Sequence, residues 1–304
     1  MDRNRLGPLD ILGITLGVIV ILVVLGSIVM IARGRLIDPQ GAFLGFRVPR
    51  DWQGDAMGFG SPVREEKDET VPAGATEIEL RTVAGAIDVR GDPTASTVRL
   101  HSVRTAPFRR AMDEVQVDIR QEGGRLIAEE KHAPGFMNRT GTVSFQLVVP
   151  RGMKEIDAHS VSGSITVQGV EPGVTQNLST ISGGIATDRA GDLDASSTSG
   201  SIHFRCAGAT VSIRTVSGSI SGDLDSLATG GSAHFGSVSG SISVDASSGL
   251  DAELSLHSLS GRVSCDFPVT ITEQKGNRLS GRIGKGSATV DAGTVSGSIS
   301  ISRM

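Results

Sequence analysis

Four aspartates stand at one offset from a recurring glycine: Asp188, Asp223, Asp245 and Asp266 each follow it by five residues. Arg205 takes that place in the third copy. If the copies stack, Asp223, Asp245 and Asp266 become adjacent rungs, and stacked carboxylates supply the oxygen donors that Ca²⁺ prefers. An aspartate also suits the turn that leaves a strand. The Gly-Gly-x-Gly-x-Asp nonapeptide of calcium-binding β-rolls is absent, which favours the turn reading. These three aspartates are the metal candidates, and no metal, cofactor or catalytic residue is assigned.

Other chemistry is thinly represented. His101, His132, His159, His203, His234 and His257 form no His-Glu-x-x-His and no close pair, so they read as surface or corner residues. The serines are many, but Gly-x-Ser-x-Gly does not occur. Gly284-Lys285-Gly286-Ser287 lacks the spacing and order of a phosphate loop. Cys206 and Cys265 form no Cys-x-x-Cys pair, which removes a zinc ribbon and a dithiol redox motif. Polysaccharide-cleaving chemistry needs clustered carboxylates with basic partners, and the chain is expected not to be an enzyme.

Composition narrows the scaffold. The formal net charge of -4 gives no electrostatic reason for a nucleic-acid partner. Glycine is abundant, at 40 residues, yet hydrophobic residues make up 38%, which low-complexity disorder lacks. Aromatics are 3% and tyrosine is absent, so the core must be built from Val, Ile, Leu and Ala, which suits thin stacked sheets.

Residues 1–10 are a short polar tail, and residues 11–32 are uncharged and apolar. As a helix of about 1.5 Å per residue the latter segment reaches roughly 33 Å, enough to cross a bilayer. Met30-Ile31-Ala32 fits a signal-peptidase site poorly, which favours an uncleaved single-pass anchor. Local arginine counting leans towards a cytoplasmic domain, but long domains translocate largely regardless of it. A short N-terminal tail before a large domain reads as a signal anchor, with the domain outside the cytoplasm. Residues 33–70 read as a juxtamembrane linker carrying Phe43, Phe46, Trp52 and Phe59. These aromatics suit either the headgroup level or the near end of the following domain.

From residue 153 the chain repeats. Ser-Gly recurs with Gly163, Gly183, Gly200, Gly218, Gly240, Gly261, Gly281 and Gly297, at a mean interval of about 19 residues. Two residues later come Ile165, Ile185, Ile202, Ile220, Ile242, Val263, Ile283 and Ile299. The pattern inside each copy is two-fold, as in a strand with one buried face. Val161, Gly163, Ile165 and Val167 share one parity and are expected inside; Ser160, Ser162 and Ser164 share the other and are expected outside or at a corner. A second strand carries pairs such as Ile156 and Ala158, or Val290 and Ala292, with a parity slip between the strands. Strands joined by tight corners at this period build a parallel β-helix, an all-β solenoid over residues 71–304. Residues 71–152 would form irregular opening coils, with a degenerate copy at Val83-Ala84-Gly85-Ala86-Ile87, and 153–304 the regular repeats. The register puts Cys206 and Cys265 three coils apart, too far for a disulfide.

The segments Thr215-Val216-Ser217-Gly218-Ser219-Ile220 and Thr294-Val295-Ser296-Gly297-Ser298-Ile299 resemble the bacterial putative adhesin family of β-strand-repeat proteins, a domain of unknown function. So does Val148-Val149-Pro150-Arg151-Gly152 before the first full repeat. The resemblance covers roughly residues 70–304. It implies a cell-envelope setting, a binding or scaffolding role and no catalytic residues. The expected partners are the membrane, through residues 11–32, and a protein or envelope polymer on the solenoid. Two further readings stand beside it. Copies could self-associate through the C-terminal coil, which the sequence leaves without a capping segment. Alternatively the domain could report envelope stress to a membrane partner.

Overall fold

The computed structural model describes residues 62–71, 74–132 and 141–304. The expected anchor at 11–32 and the aromatics Phe43, Phe46, Trp52 and Phe59 lie outside the described residues. Among the described residues no helix is long and apolar enough to cross a membrane.

The chain opens with β1 (Val63–Val71), β2 (Glu77–Ala84), β3 (Ile87–Gly91) and β4 (Val98–Ala106). A short helix α1 (Arg109–Glu114) leads to β5 (Val115–Glu122), β6 (Arg125–His132) and β7 (Thr142–Val149). Regular coils follow: β8 (Glu155–Ser162) with β9 (Ile165–Gln168), then β10 (Thr175–Thr180) with β11 (Ile185–Ala190), then β12 (Leu193–Ser197). β13 (Ile202–Ser217) and β14 (Ile220–Ser239) each run through a bend, ending one coil and starting the next; β15 (Ile242–Ala246) completes the last of these. The chain closes with β16 (Ala252–Ser260), β17 (Val263–Cys265), β18 (Thr270–Lys275), β19 (Arg278–Ile283), β20 (Ala288–Ser296) and β21 (Ile299–Arg303).

Each coil contributes one strand to each of two ladders. The first runs β6, β2, β8, β10, β12, the second half of β13, the second half of β14, β20 and β16, all parallel. The second runs β7, β3, β9, β11, the first half of β13, the first half of β14, β15, β21 and β17, also parallel. Antiparallel strands flank the parallel stack: β5 on β6, β4 and then β1 on β7, β19 and then β18 on β16. One continuous core fills the space between the ladders. The isoleucine series forms the expected column: Ile87, Ile165, Ile185, Ile202, Ile220, Ile242, Ile299 and Val263 are successive register partners. The second-strand pairs Ile156 and Ala158, Leu193 and Ala195, Val211 and Ile213 are buried as expected.

The coils do not stack in chain order. The first coil, β2–β3, lies between β6–β7 and β8–β9. The last, β20–β21, lies between the β14–β15 coil and β16–β17. The expectation of an uncapped C-terminal coil is therefore corrected: both of its strands are paired on both edges. Gly281 and Ile283 are also corrected. They sit in β19, which turns back at Gly276 and runs antiparallel to β16, so they form no coil. Residues 63–70 are part of the sheet and not linker, because the charged run pairs along its whole length with β4, where Arg104 meets Glu65.

Candidate functional site

The recurring Ser-Gly corner sets the geometry of one whole edge. A Cβ on Gly163 would stand 1.9 Å from the Gly85 carbonyl oxygen, on Gly183 2.1 Å from that of Gly163, and on Gly200 1.8 Å from that of Gly183. The same clash recurs for Gly218 against Gly200, Gly240 against Gly218, Gly297 against Gly240 and Gly261 against Gly297. The glycines form a column of backbone in contact from coil to coil, and no side chain fits there. At most of these positions the demand is close approach, not a left-handed φ.

The parity expectation is corrected at this corner. Val161, Ile181, Val238, Val295 and Leu259, expected inside, are exposed, and Leu259 is 74% exposed. The hydroxyl residues three places before each glycine are inside instead: Ser160, Thr180, Ser197, Thr215, Ser237, Ser258 and Thr294 are all buried. Each donates a hydrogen bond to the glycine carbonyl of the adjoining coil, for example Thr180 Oγ1 to Gly163 at 3.0 Å and Ser258 Oγ to Gly297 at 2.9 Å. The parity slip lies at the Ser-Gly corner itself, because the glycine carbonyl turns inward and a buried carbonyl needs a donor. The ladder ends on Thr82, whose hydroxyl lies 2.7 Å from both the Val143 carbonyl and the fully buried carboxylate of Glu130. A hydroxyl at this offset in seven of the eight copies, Arg278 before Gly281 being the exception, was the sequence signal that parity counting missed.

Turning these hydroxyls inward puts the next residue outward. Val83, Val161, Ile181, Thr198, Val216, Val238, Val295 and Leu259 follow one another along the axis. At about 4.8 Å per rung the row is roughly 34 Å long. Exposed serines such as Ser162, Ser182, Ser217 and Ser239 border it.

The aspartate candidates do not converge. Asp223 and Asp245 are register partners, but Asp245 faces Ser302 of the inserted last coil, and Asp266 lies beyond it. The three adjacent rungs expected from chain order are two and one. Asp188 accepts from the Gly169 backbone N at 3.0 Å, the turn role that favoured the plainer reading. Arg205 holds Asp225 at 2.9 Å and Asp223 at 3.8 Å, and the Asp225 contact raises its pKa. Among the described residues no group of three or more His, Cys, Asp or Glu could hold a metal ion.

The Gly284-Lys285-Gly286-Ser287 turn is a backbone cradle filled from within. Gly284 and Gly286 have φ of 64° and 75°, and Asp251 Oδ1 accepts from the backbone N of Lys285 and of Gly286, both at 2.6 Å. Partial burial pushes the Asp251 carboxyl up, but the hydrogen bonds from Gly286, Ser287 and Lys285 outweigh it and hold the carboxyl below its ordinary range. With the folded-state pKa depressed, the clasp adds stability above the ordinary value of about 3.9 and loses it as pH falls through the depressed value. Amide exchange at residues 285–287 is expected to quicken over that acidic window. Asp251→Asn should quicken it at neutral pH, and exchange indifferent to both would refute the clasp.

Both cysteines are free thiols, as expected. The inserted coil puts four rungs between them instead of three, about 19 Å along the axis. Burial pushes the Cys206 thiol up to about 12 and raises the half-buried Cys265 less far. The thiolate is the reactive form. Maleimide labelling at neutral pH is therefore expected to be slow at both and slowest at Cys206, with full labelling only in denaturant.

A crystal structure of a putative adhesin from Bacteroides fragilis matches with a TM-score of 0.41 and 10% identity, over 79% of this chain and 97% of that one. A putative cell adhesion protein from Clostridium sporogenes matches with a TM-score of 0.36 and 9% identity, over 80% and 100%. No curated protein matches the sequence. The Toastrack DUF4097 profile matches residues 111–302, well over half of the chain. That match leads to one statement: the chain belongs to the Toastrack DUF4097 family.

Proposed function

We propose that the chain is a non-catalytic binding or scaffolding module of the bacterial cell envelope, tethered to the membrane by residues 11–32 with the solenoid outside the cytoplasm. The observation that carries this is the outward row, in which Val161, Ile181, Val238, Val295 and Leu259 are exposed. A soluble surface gains nothing from a line of Val, Ile and Leu in water, and contiguous apolar surface of this kind marks an interaction site. The row is held at a fixed spacing by the glycine column behind it, so the binding surface is rigid and costs little to order on contact. The apolar segment 11–32 supplies the tether, and the net charge of -4 disfavours nucleic acid.

Two measurements on the full chain test this. Protease added to intact cells should degrade residues 62–304 without permeabilisation, and protection would overturn the sidedness. The triple variant Val161→Ser, Ile181→Ser, Val238→Ser should keep its melting temperature, because the sites are exposed, yet lose about tenfold in retention on isolated envelopes. Unchanged retention would remove the row as the binding surface.

A further inference from the structure

Beside the row lies a cleft of about 520 Å³ on the outer side of the first ladder. Its floor is the register column Arg214, Gly236, Gly293, His257 and Arg278. One wall carries His234 and Asp291, whose side chains approach to 3.8 Å, and the other carries Val295 and Leu259.

Gly236 is the informative residue. Unlike the corner glycines, it has room for a side chain: a Cβ would find only Arg214 Cγ, at 3.8 Å, an ordinary contact. Its φ is not in the left-handed region. Neither packing nor backbone conformation therefore requires glycine, and glycine in mid-strand weakens the sheet. What it supplies is bare backbone between two cations. Gly293, its neighbour, is covered by the His257 ring, which comes within 2.6 Å of where a Cβ would stand.

The cations are unneutralised. Arg125, Arg205 and Arg282 are tied to carboxylates. Arg214 and Arg278 have no such partner among the described residues. They stand at opposite ends of the cleft, four rungs or about 19 Å apart at the backbone. Among the described residues only one carboxylate, Asp291, lines the space with them.

We propose that this cleft binds a linear anionic glycopolymer lying along the solenoid axis over Gly236, with one anionic group on Arg214 and another on Arg278. Guanidinium pairs carboxylate and phosphate alike through two parallel hydrogen bonds, so both charge types fit. The ligand needs at least two anionic groups, because a single one cannot reach both ends. Single-stranded nucleic acid fits less well: it asks for aromatic stacking platforms, and the phenylalanine beside the cleft, Phe235, is 2% exposed. The proposal deepens the binding-module reading by naming a ligand, but uses a surface that the row variants leave largely intact.

The test measures affinity of the full chain in nanodiscs for three probes: an oligogalacturonate, an oligo(glycerol phosphate) and an oligo-dT. One or both of the first two should bind, more weakly as salt rises, and which one binds identifies the charge type. Gly236→Leu should fold with an unchanged or higher melting temperature and lose at least about tenfold in affinity, and Arg214→Ala and Arg278→Ala should each lose a similar amount. Binding of neither anionic oligomer, affinity untouched by Gly236→Leu and Arg214→Ala, or tighter binding of oligo-dT would each overturn the proposal. Loss in the row variant with full binding to the probes would separate the two surfaces.

Discussion

A chain ending at Ser287 should lose the whole distal third of the solenoid, not only its last coil. β20 holds the second half of β14 to β16, and β21 holds β15 to β17. Removing them leaves two gaps in the ladders and takes away the buried side chains of Ala288, Val290, Ala292, Ile299 and Ile301. Each large aliphatic contributes roughly 1.5–3 kcal/mol on burial. That loss, with the ladder hydrogen bonds, is comparable to the 5–15 kcal/mol that holds a typical domain together. Amide exchange over β15–β19 should rise to the unfolded rate while β8–β12 stays protected. The point variant Ile299→Asp should mimic this at a cost of about 4 kcal/mol or more, because a carboxylate there is buried without a partner. Continued protection of β16–β19 in the truncated chain would show that the inserted coil is not their support.

Gly240→Ala should be one of the most damaging single methyl groups among the described residues. The added carbon would stand 1.9 Å from the Gly218 carbonyl oxygen, and that oxygen also accepts from Ser237 Oγ at 3.2 Å. The rungs cannot part locally, because the ladders on either side are hydrogen-bonded above and below. A cost of about 3–5 kcal/mol is expected, a fall of roughly 10 °C in melting temperature for a domain of this size. Ser237→Ala removes only one hydrogen bond and should cost about 1–2 kcal/mol. Equal melting temperatures for the two variants would refute the column.

The contrast shows what was legible in the sequence. The isoleucine series and the alternation around Ile156 and Val290 carried the all-β solenoid, its rung spacing and one buried face, because burial on one side of a strand leaves a period of two. The direction of Val161 and its equivalents was not legible by parity, since the chain resets its faces at the corner and an aliphatic residue next to a corner can go either way. The Ser or Thr three places before glycine in every copy that forms a coil did specify the answer, through the donor that a buried carbonyl requires. The insertion of β20–β21 was hidden for a different reason: copies with the same motif fit any gap of the ladder, so motif order does not fix spatial order. That degeneracy also broke up Asp223, Asp245 and Asp266. The bare floor at Gly236 looked like one more glycine among 40 until its surroundings were known.

With the first and last coils both wedged between older neighbours, neither terminus is a place where the stack can lengthen. The run from β8 to β15, in contrast, follows chain order without interruption. Duplicating one unit of about 19 residues there would raise the height by a single step of about 4.8 Å and leave both locks untouched. Changing the number of central units would therefore alter the length of both ladders, as a telescope does, while the two inserted coils stay the same.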